Sequence, residues 1–277
     1  MSARRSQMRK GALTRKLKEQ TLAKSRGLHQ RWQHTKDATG AGRKTRLVCS
    51  KAPGGEIHLM SQAELAEFLE GWYRADVRVI HDQVALDRTQ TQKSAASLNV
   101  AHPRYRRIDE PAVISTSLLY ITERKGCYGK EARSVRSVRE GRDRDEAELT
   151  RVQLIERRAW ERDGAVYVAV GKDGMRAQRS RNLAWLFRAY NDTVGRSLSD
   201  GEMKAQRGLL RLVRSKKDMT VLEACGLVER TFGLPPGSGV QAFRQLAGAR
   251  RLAFDLDVSN PVTIPVAEIW RPGPSTP

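Results

Sequence analysis

The sequence predicts an α/β protein in which a mixed β-sheet is flanked by helices, followed by a smaller, mainly helical domain. Three stretches carry this prediction. Residues 112–164 read as a strand, a short basic turn, a second strand and then a helix. Residues 61–73 have the apolar spacing of a helix that packs on one face, and residues 201–277 contain three more helical patterns. At 277 residues, the chain is long enough for two domains of ordinary size.

The first 46 residues are the most basic part of the chain. They hold fourteen Lys or Arg against two acids, and so contribute +12 of the net charge of +20. Such a charge density is typical of a segment that binds nucleic-acid phosphates, although a solvated or membrane-surface tail has the same composition. We predict a DNA-binding arm over residues 1–46, helical in part. Its DNA-contacting cations are predicted to be Arg4, Arg5, Arg9, Lys10, Arg15, Lys16, Lys18, Arg43 and Lys44.

A hairpin and an amphipathic helix are predicted after the arm. Residues 45–50 and 55–60 are strand-like and flank Pro53-Gly54-Gly55, which is a turn signal. The helix over residues 61–73 places one apolar side chain at each of the positions i, i+3, i+4 and i+7. These four residues are Leu65, Phe68, Leu69 and Trp72.

The central α/β region extends from residue 75 to residue 190. Its predicted elements are a strand over 75–86, a short helix over 87–100, strands over 112–121 and 127–135, a helix over 146–164, a strand over 165–171 and a helix over 181–190. The Gly- and Ser-rich stretch 195–202 follows, and we place a domain boundary there. The predicted domains are therefore 1–46, 47–195 and 196–277. Three helices and two short closing strands in the last domain favour a winged-helix-like fold.

Several protein classes are excluded by composition. The longest apolar stretches, of about ten residues, are too short to span a bilayer. No apolar signal core follows the basic start. Cys49, Cys127 and Cys225 are far apart and lack the spacing of a zinc site, so they are expected to be reduced and structural. The sequence predicts a cytoplasmic, nucleoid-associated protein without a membrane partner.

The central unit resembles the TnsA family, the endonuclease subunits of heteromeric cut-and-paste transposons. In that family the first strand reads V-M-S/T-T-D-F, the second ends in Q-x-K, and the next helix carries L-E-x-E-R-R-x-W. This chain has Val-Ile-Ser-Thr-Ser-Leu at 113–118, Glu-Ala-Arg at 131–133 and Ile-Glu-Arg-Arg-Ala-Trp at 155–160. Its Ser61-x-x-Glu64 is similar to the family's S-x-x-E. The resemblance implies a restriction-endonuclease-like domain followed by a winged-helix-like, partner-binding domain.

The resemblance also implies a site with altered chemistry. Glu64 stands at the first metal-site acid, although Ser61 and Glu64 also have the spacing of a helix capping box. Ser117 stands where the family has the aspartate, and a neutral hydroxyl is a poor substitute for a carboxylate ligand. Arg133 stands where the family has lysine. A permanently charged guanidinium is better suited to binding phosphate than to orienting an attacking water. Glu131 restores an acid, so Glu64 and Glu131 are predicted as a two-carboxylate Mg²⁺ site if the protein is active.

The resulting prediction is a TnsA-like transposition protein that binds double-stranded DNA at transposon ends. Its partners would be a DDE transposase (TnsB-like) and an AAA+ ATPase (TnsC-like), and its own 5′-strand nicking would be weakened or lost. Two alternatives stay open. One is an active Mg²⁺-dependent endonuclease that uses Glu64 and Glu131, and the other is a plain DNA-binding protein.

Overall fold

The computed structural model describes residues 8–37, 42–123, 131–138, 149–171, 176–215 and 218–272. The chain divides into two compact units, a first unit over Met1–Met175 and a second unit over Arg176–Pro277. Arg4, Arg5, Cys127 and the turn predicted at 123–126 lie wholly or partly outside the described residues. Within the described ranges, no helix combines the length and the apolar character that a membrane span requires.

The first unit is built on a four-stranded mixed sheet. Its elements in chain order are α1 (Lys10–Ser25), β1 (Thr45–Val48), β2 (Glu56–Leu59), α2 (Gln62–Tyr73), β3 (Val77–Ala85), α3 (Arg88–Ser97), β4 (Arg104–Tyr105), β5 (Glu110–Pro111), β6 (Ser115–Glu123), β7 (Glu131–Val138), α4 (Arg151–Arg162) and β8 (Val166–Val170). The sheet order is β3-β6-β7-β8. The first two pairings are antiparallel and β7 pairs with β8 in parallel. This mixed sheet with flanking helices fits the predicted restriction-endonuclease-like fold.

The two faces of the sheet carry different helices. Leu119, Ile121 and Val135 point to the face where α4 packs, and they form a core with Ile155 and Trp160. Side chains alternate along a strand, so Tyr120 points to the opposite face, where α2 lies. There the Tyr120 hydroxyl donates to the Glu67 carbonyl oxygen at 2.6 Å. The approach is close, since a Cβ added at Gly71 would lie 2.4 Å from the Tyr120 ring.

The N-terminal segment packs against the first unit and is not a free arm over its described length. Leu13 and Trp32 are buried in one cluster with Tyr105 and Val113. Arg31 Nε donates to Asp82 Oδ2 at 2.9 Å. This corrects the prediction of an arm over 1–46, because residues 8–37 contribute apolar side chains to the fold.

Asp82 is fully buried and holds this segment in place. Burial by itself would raise the pKa of Asp82, but hydrogen bonds from His29, Arg31 and the His58 backbone N–H together lower it. Deleting the first 46 residues would remove two of these partners and leave a buried carboxylate poorly paired. Such a deletion would therefore change stability together with any DNA contact.

The second unit consists of α5 (Ala177–Asn191), α6 (Asp200–Ser215), α7 (Val221–Phe232) and α8 (Ser238–Gly248), followed by an irregular segment. The predicted closing strands over 253–270 are corrected, since the described residues hold only isolated bridges there, Thr220 to Pro265 and Ala253 to Trp270. The boundary also differs from the predicted 195–202. It falls at Met175/Arg176, because α5 packs with α8 inside the second unit.

Helix α5 supplies a large part of the core of the second unit. Leu183 and Leu186 are fully buried, and a Cβ on Gly248 of α8 would lie 2.7 Å from Tyr190 Cβ. The Asn182 side-chain amide donates to the carbonyl oxygens of Leu256 and Val258 at 2.9 and 2.7 Å. These contacts tie the end of the chain to α5.

We expect a fragment of residues 176–277 to fold alone and a fragment of residues 196–277 to fail. The shorter fragment lacks Leu183, Leu186 and Phe187, and each fully buried Leu or Phe contributes about 1.5–3 kcal/mol. Circular dichroism during urea unfolding would show one cooperative transition for the longer fragment and none for the shorter. A cooperative transition in residues 196–277 would contradict the placement of α5.

Candidate active site

Glu64 is the best-defined member of the candidate site. It lies in the first turn of α2 and is 7% exposed. Its Oε2 accepts a hydrogen bond from the Met60 backbone N–H at 2.6 Å and lies 3.1 Å from Gln83 Nε2. Burial raises the pKa of Glu64, against the hydrogen bonds from Met60, Ser117 and Gln83. The carboxylate is thus enclosed by donors and carries no paired cation among its described partners.

The cap of α2 explains half of the Ser61–Glu64 pattern. Ser61 Oγ accepts from the Glu64 backbone N–H at 3.1 Å, as an N-cap residue does. The Glu64 carboxylate bonds the N–H of Met60, so the reciprocal bond of a capping box to Ser61 is replaced by one to the preceding residue. Glu64 therefore has a structural role that does not require a metal.

Ser117 lies beside Glu64. Its hydroxyl is among the groups that lower the pKa of Glu64, and it donates to the Val138 carbonyl oxygen at 3.5 Å. Gln83, on the neighbouring β3, has a positive φ of 48° in mid-strand. This local irregularity, in a region where non-glycine residues are uncommon, accompanies a glutamine side chain that reaches Glu64. Glu64, Gln83 and Ser117 therefore form one cluster on the α2 face of the sheet.

Glu131 is not part of that cluster. It pairs with Glu123, at the opposite end of β6 from Ser117, and its side chain is exposed. Six residues of strand separate Ser117 from Glu123, which corresponds to about 20 Å. The predicted two-carboxylate site of Glu64 and Glu131 is thus not assembled.

Arg133 also lies away from Glu64. Its guanidinium pairs with the Asp163 carboxylate and with the Asp163 carbonyl oxygen at the end of α4. It therefore faces the α4 side of the sheet, whereas Glu64 lies on the α2 side. The assignment of the family's Q-x-K triplet to residues 131–133 is corrected on both position and face.

Residues 134–136 lie nearer to Ser117 along the β6–β7 pair than residues 131–133 do. Arg136 pairs with Leu118, which adjoins Ser117, and Ser134 pairs with Tyr120 on the α2 face. Directly opposed residues of an antiparallel pair share a face, so Ser134 and Arg136 face α2. Arg136 Nε is 3.5 Å from Glu67 Oε1, one helical turn after Glu64.

The sequence contained a signal for this register that the prediction missed. Val135 is the only large apolar residue between Glu131 and Ser137, so it is the natural candidate for the buried core face. Its neighbours Ser134 and Arg136 then point to the other face, where Glu64 lies. Ser-Val-Arg at 134–136 reproduces the polar-x-basic order of Q-x-K with serine and arginine in place of glutamine and lysine.

The groups around the Glu64 carboxylate are hydrogen-bond donors and do not fit the ligand set of Mg²⁺. This ion prefers oxygen ligands in a near-octahedral arrangement, usually with one or two carboxylates. The described groups that touch the Glu64 carboxylate are two N–H donors and the neutral Ser117 hydroxyl. Within the described ranges, no group of three or more His, Cys, Asp or Glu has the arrangement of a metal site.

The residues of the L-E-x-E-R-R-x-W pattern serve the fold on the other face of the sheet. Glu156 is buried and accepts hydrogen bonds from the hydroxyls of Thr116 at 2.6 Å, Ser137 at 2.7 Å and Tyr167 at 3.2 Å. Trp160 Nε1 donates to Thr116 Oγ1 at 2.7 Å. This network joins α4 to β6, β7 and β8. The similarity to the family pattern at Thr116, Glu156 and Trp160 is thus explained by packing.

The cations predicted to bind DNA are not all free to do so. Lys16 donates to the Trp32 carbonyl oxygen at 2.7 Å, and its Nζ lies 5.0 Å from the centre of the Trp32 ring. Lys44 is half-buried. The exposed members of the predicted set are Arg9, Lys10, Arg15, Lys18 and Arg43.

Comparisons with known proteins match both units. A family model for the C-terminal part of the TnsA endonuclease matches residues 175–256, a range that begins one residue before the second unit. The transposition protein TnsA of transposon Tn7 from Escherichia coli is 25% identical to this chain over 226 residues. That alignment covers 81% of this chain and 78% of the relative.

Proposed function

We propose that this chain is a TnsA-like protein that acts in DNA transposition and whose own strand-nicking activity is weakened or lost; the similarity to TnsA over both units supports the first half of this proposal. One observation carries the second half of this proposal. Ser117, at the position that the resemblance gives to the family's aspartate, lies close enough to Glu64 to lower its pKa, so a neutral hydroxyl stands where a second carboxylate would be needed.

Arg136 supports the same conclusion. It takes the position of the family's lysine, but its guanidinium lies 5.4 Å from the centre of the Tyr120 ring and beside Glu67. Its Nε is buried and has no hydrogen-bond partner among the described residues. A guanidinium stays charged at every relevant pH, so it can neither donate a proton to water nor accept one from it. Arg136 would therefore hold the site together or contact a phosphate without activating a nucleophile.

The proposed partners are transposon-end DNA, a TnsB-like DDE transposase and a TnsC-like AAA+ ATPase. Exposed cations of α1 and of the segment before β1 would contact DNA phosphates. The second unit would meet the ATPase, and it would do so as a winged-helix-like domain if α6, α7 and α8 are its three helices. The Ala253–Trp270 bridge would then stand in place of a β-wing.

The experiment that tests this function is co-assembly on DNA. The full chain is mixed with a TnsB-like transposase, a TnsC-like ATPase and a labelled duplex carrying the transposon end. We expect the chain to be retained on end DNA with the transposase and to be released when the end sequence is scrambled. A chain that is retained equally on both duplexes would favour a plain DNA-binding protein, and one that binds neither DNA nor partner would contradict the proposal.

A further inference from the structure

Helix α6 of the second unit carries a row of four exposed cations. They are Lys204, Arg207, Arg211 and Arg214, with sequence spacings of three, four and three residues. At 100° per residue these spacings keep all four on one side of the helix. Ten residues separate the first from the last, so the row is about 15 Å long.

The opposite side of the same helix is its packed side. Ala205, Gln206, Gly208 and Leu209 are buried, and a Cβ on Gly208 would lie 2.8 Å from the Phe232 ring of α7. The helix is therefore anchored by one side and presents its cations on the other. A rigid support of this kind fixes the spacing of the charges.

The four cations have no described partner in the protein. Among the residues that the structure describes, none of the four takes part in an ion pair or donates a side-chain hydrogen bond. Exposed arginines elsewhere differ in this respect, since Arg104 pairs with Asp109 and Arg157 with Glu161, both at 2.6 Å. The acids of α6 lie in its first turn, and Glu202 is held by Arg196 at 2.7 Å.

This arrangement works against the helix itself. Like charges three or four residues apart destabilise a helix, and the row contains three such pairs. No intramolecular contact offsets this repulsion in the described structure. A bound anion would neutralise the repulsion between neighbouring cations. A linear polyanion would neutralise the repulsion along the whole row.

We propose that the α6 row is a second DNA-binding surface, which contacts the phosphate backbone of duplex DNA. Residues 176–277 carry sixteen Lys or Arg against nine acids, so the unit as a whole also attracts DNA. The row lacks aromatic side chains for stacking, so it binds the backbone without reading bases. This inference rests on the proposed function, because it assigns part of the DNA binding to the second unit.

The test compares two triple variants of the full chain with equal changes in net charge. The first is Arg207→Gln, Arg211→Gln and Arg214→Gln. The matched control is Arg78→Gln, Arg104→Gln and Arg157→Gln, which removes three arginines that each pair with an acid. Affinity for a duplex of arbitrary sequence is measured against salt concentration, and circular dichroism checks that both variants fold.

We expect the α6 variant to lower the slope of log K against log salt by about two to three units, at about 0.9 per phosphate contact. The control should keep the wild-type slope within about half a unit. If wild type binds DNA and both variants keep its slope, the inference is overturned while the proposed function stands. Loss of ATPase binding with an unchanged slope would also overturn it, in favour of an acidic protein surface. A wild type that does not bind DNA would count against the proposed function as well.

Discussion

Replacing Glu156 with alanine is expected to lower the free energy of unfolding of the first unit by about 3 kcal/mol or more. The carboxylate accepts from three hydroxyls, those of Thr116, Ser137 and Tyr167. Each buried polar group that loses its partner costs about 1–3 kcal/mol, and the alanine also leaves a cavity under α4. The midpoint of urea unfolding, with hydrogen exchange of the sheet amides to assign the transition to the first unit, measures the change.

Glu161→Ala is the matched control for that substitution. Glu161 lies on the same helix five residues later, and it forms an exposed pair with Arg157. Exposed pairs of this type contribute about 0.2–1 kcal/mol, so the control should hardly move the midpoint. Equal effects of the two substitutions would show that Glu156 does not hold the helix to the sheet.

Restoring the family residues with Ser117→Asp and Arg136→Lys is expected to raise nicking of transposon-end DNA by about tenfold or more. An aspartate at 117 would place a second carboxylate beside Glu64. Proteins usually bind Mg²⁺ through one or two carboxylates, so the restored pair would be sufficient. Loss of a supporting partner alone changes metal affinity or activity by about 10–100-fold, and these positions are more central. The assay uses Mg²⁺ or Mn²⁺ with the transposase present.

Arg133→Lys and Glu131→Ala test whether the family's Q-x-K triplet corresponds to residues 134–136 or to residues 131–133. Both positions belong to the far end of β7, and Arg133 contacts Asp163. Neither substitution should change nicking, alone or in the restored background. A gain from Arg133→Lys that Arg136→Lys does not give would contradict the assignment of residues 134–136.

Local sequence patterns predicted the elements around the site well. The apolar spacing from Leu65 to Trp72 gave the helix now observed over Gln62–Tyr73, and the valines of residues 77–84 marked β3. The resemblance to the family gave the positions of Ser117 and Glu64 independently, and the two side chains lie close together in the structure. These predictions succeed because they depend only on patterns of residues that are close together in the sequence.

Features that depend on pairing between distant residues were not predicted. The register of β7 depends on the length of the connection from β6, and the family's Q-x-K was matched three residues too early. A shift by an odd number moves every side chain to the other face, which is why Glu131 and Arg133 fell on the α4 side. The apolar stripe of α5 shows that the helix is packed, but not that its partner is α8, so the boundary was placed twenty residues too late.

The most direct test addresses the proposal that the first unit keeps a nuclease-like fold while its site has lost efficient cutting. Wild type and Glu64→Gln are compared for cleavage of a 5′-labelled transposon-end duplex, in Mg²⁺ and in Mn²⁺, with the transposase partner added. Glutamine keeps the size of Glu64 and an oxygen that accepts from the Met60 N–H, so the helix cap survives. We predict that the two proteins are indistinguishable and that neither nicks the DNA above background. Robust cleavage by wild type that disappears in Glu64→Gln would contradict the account.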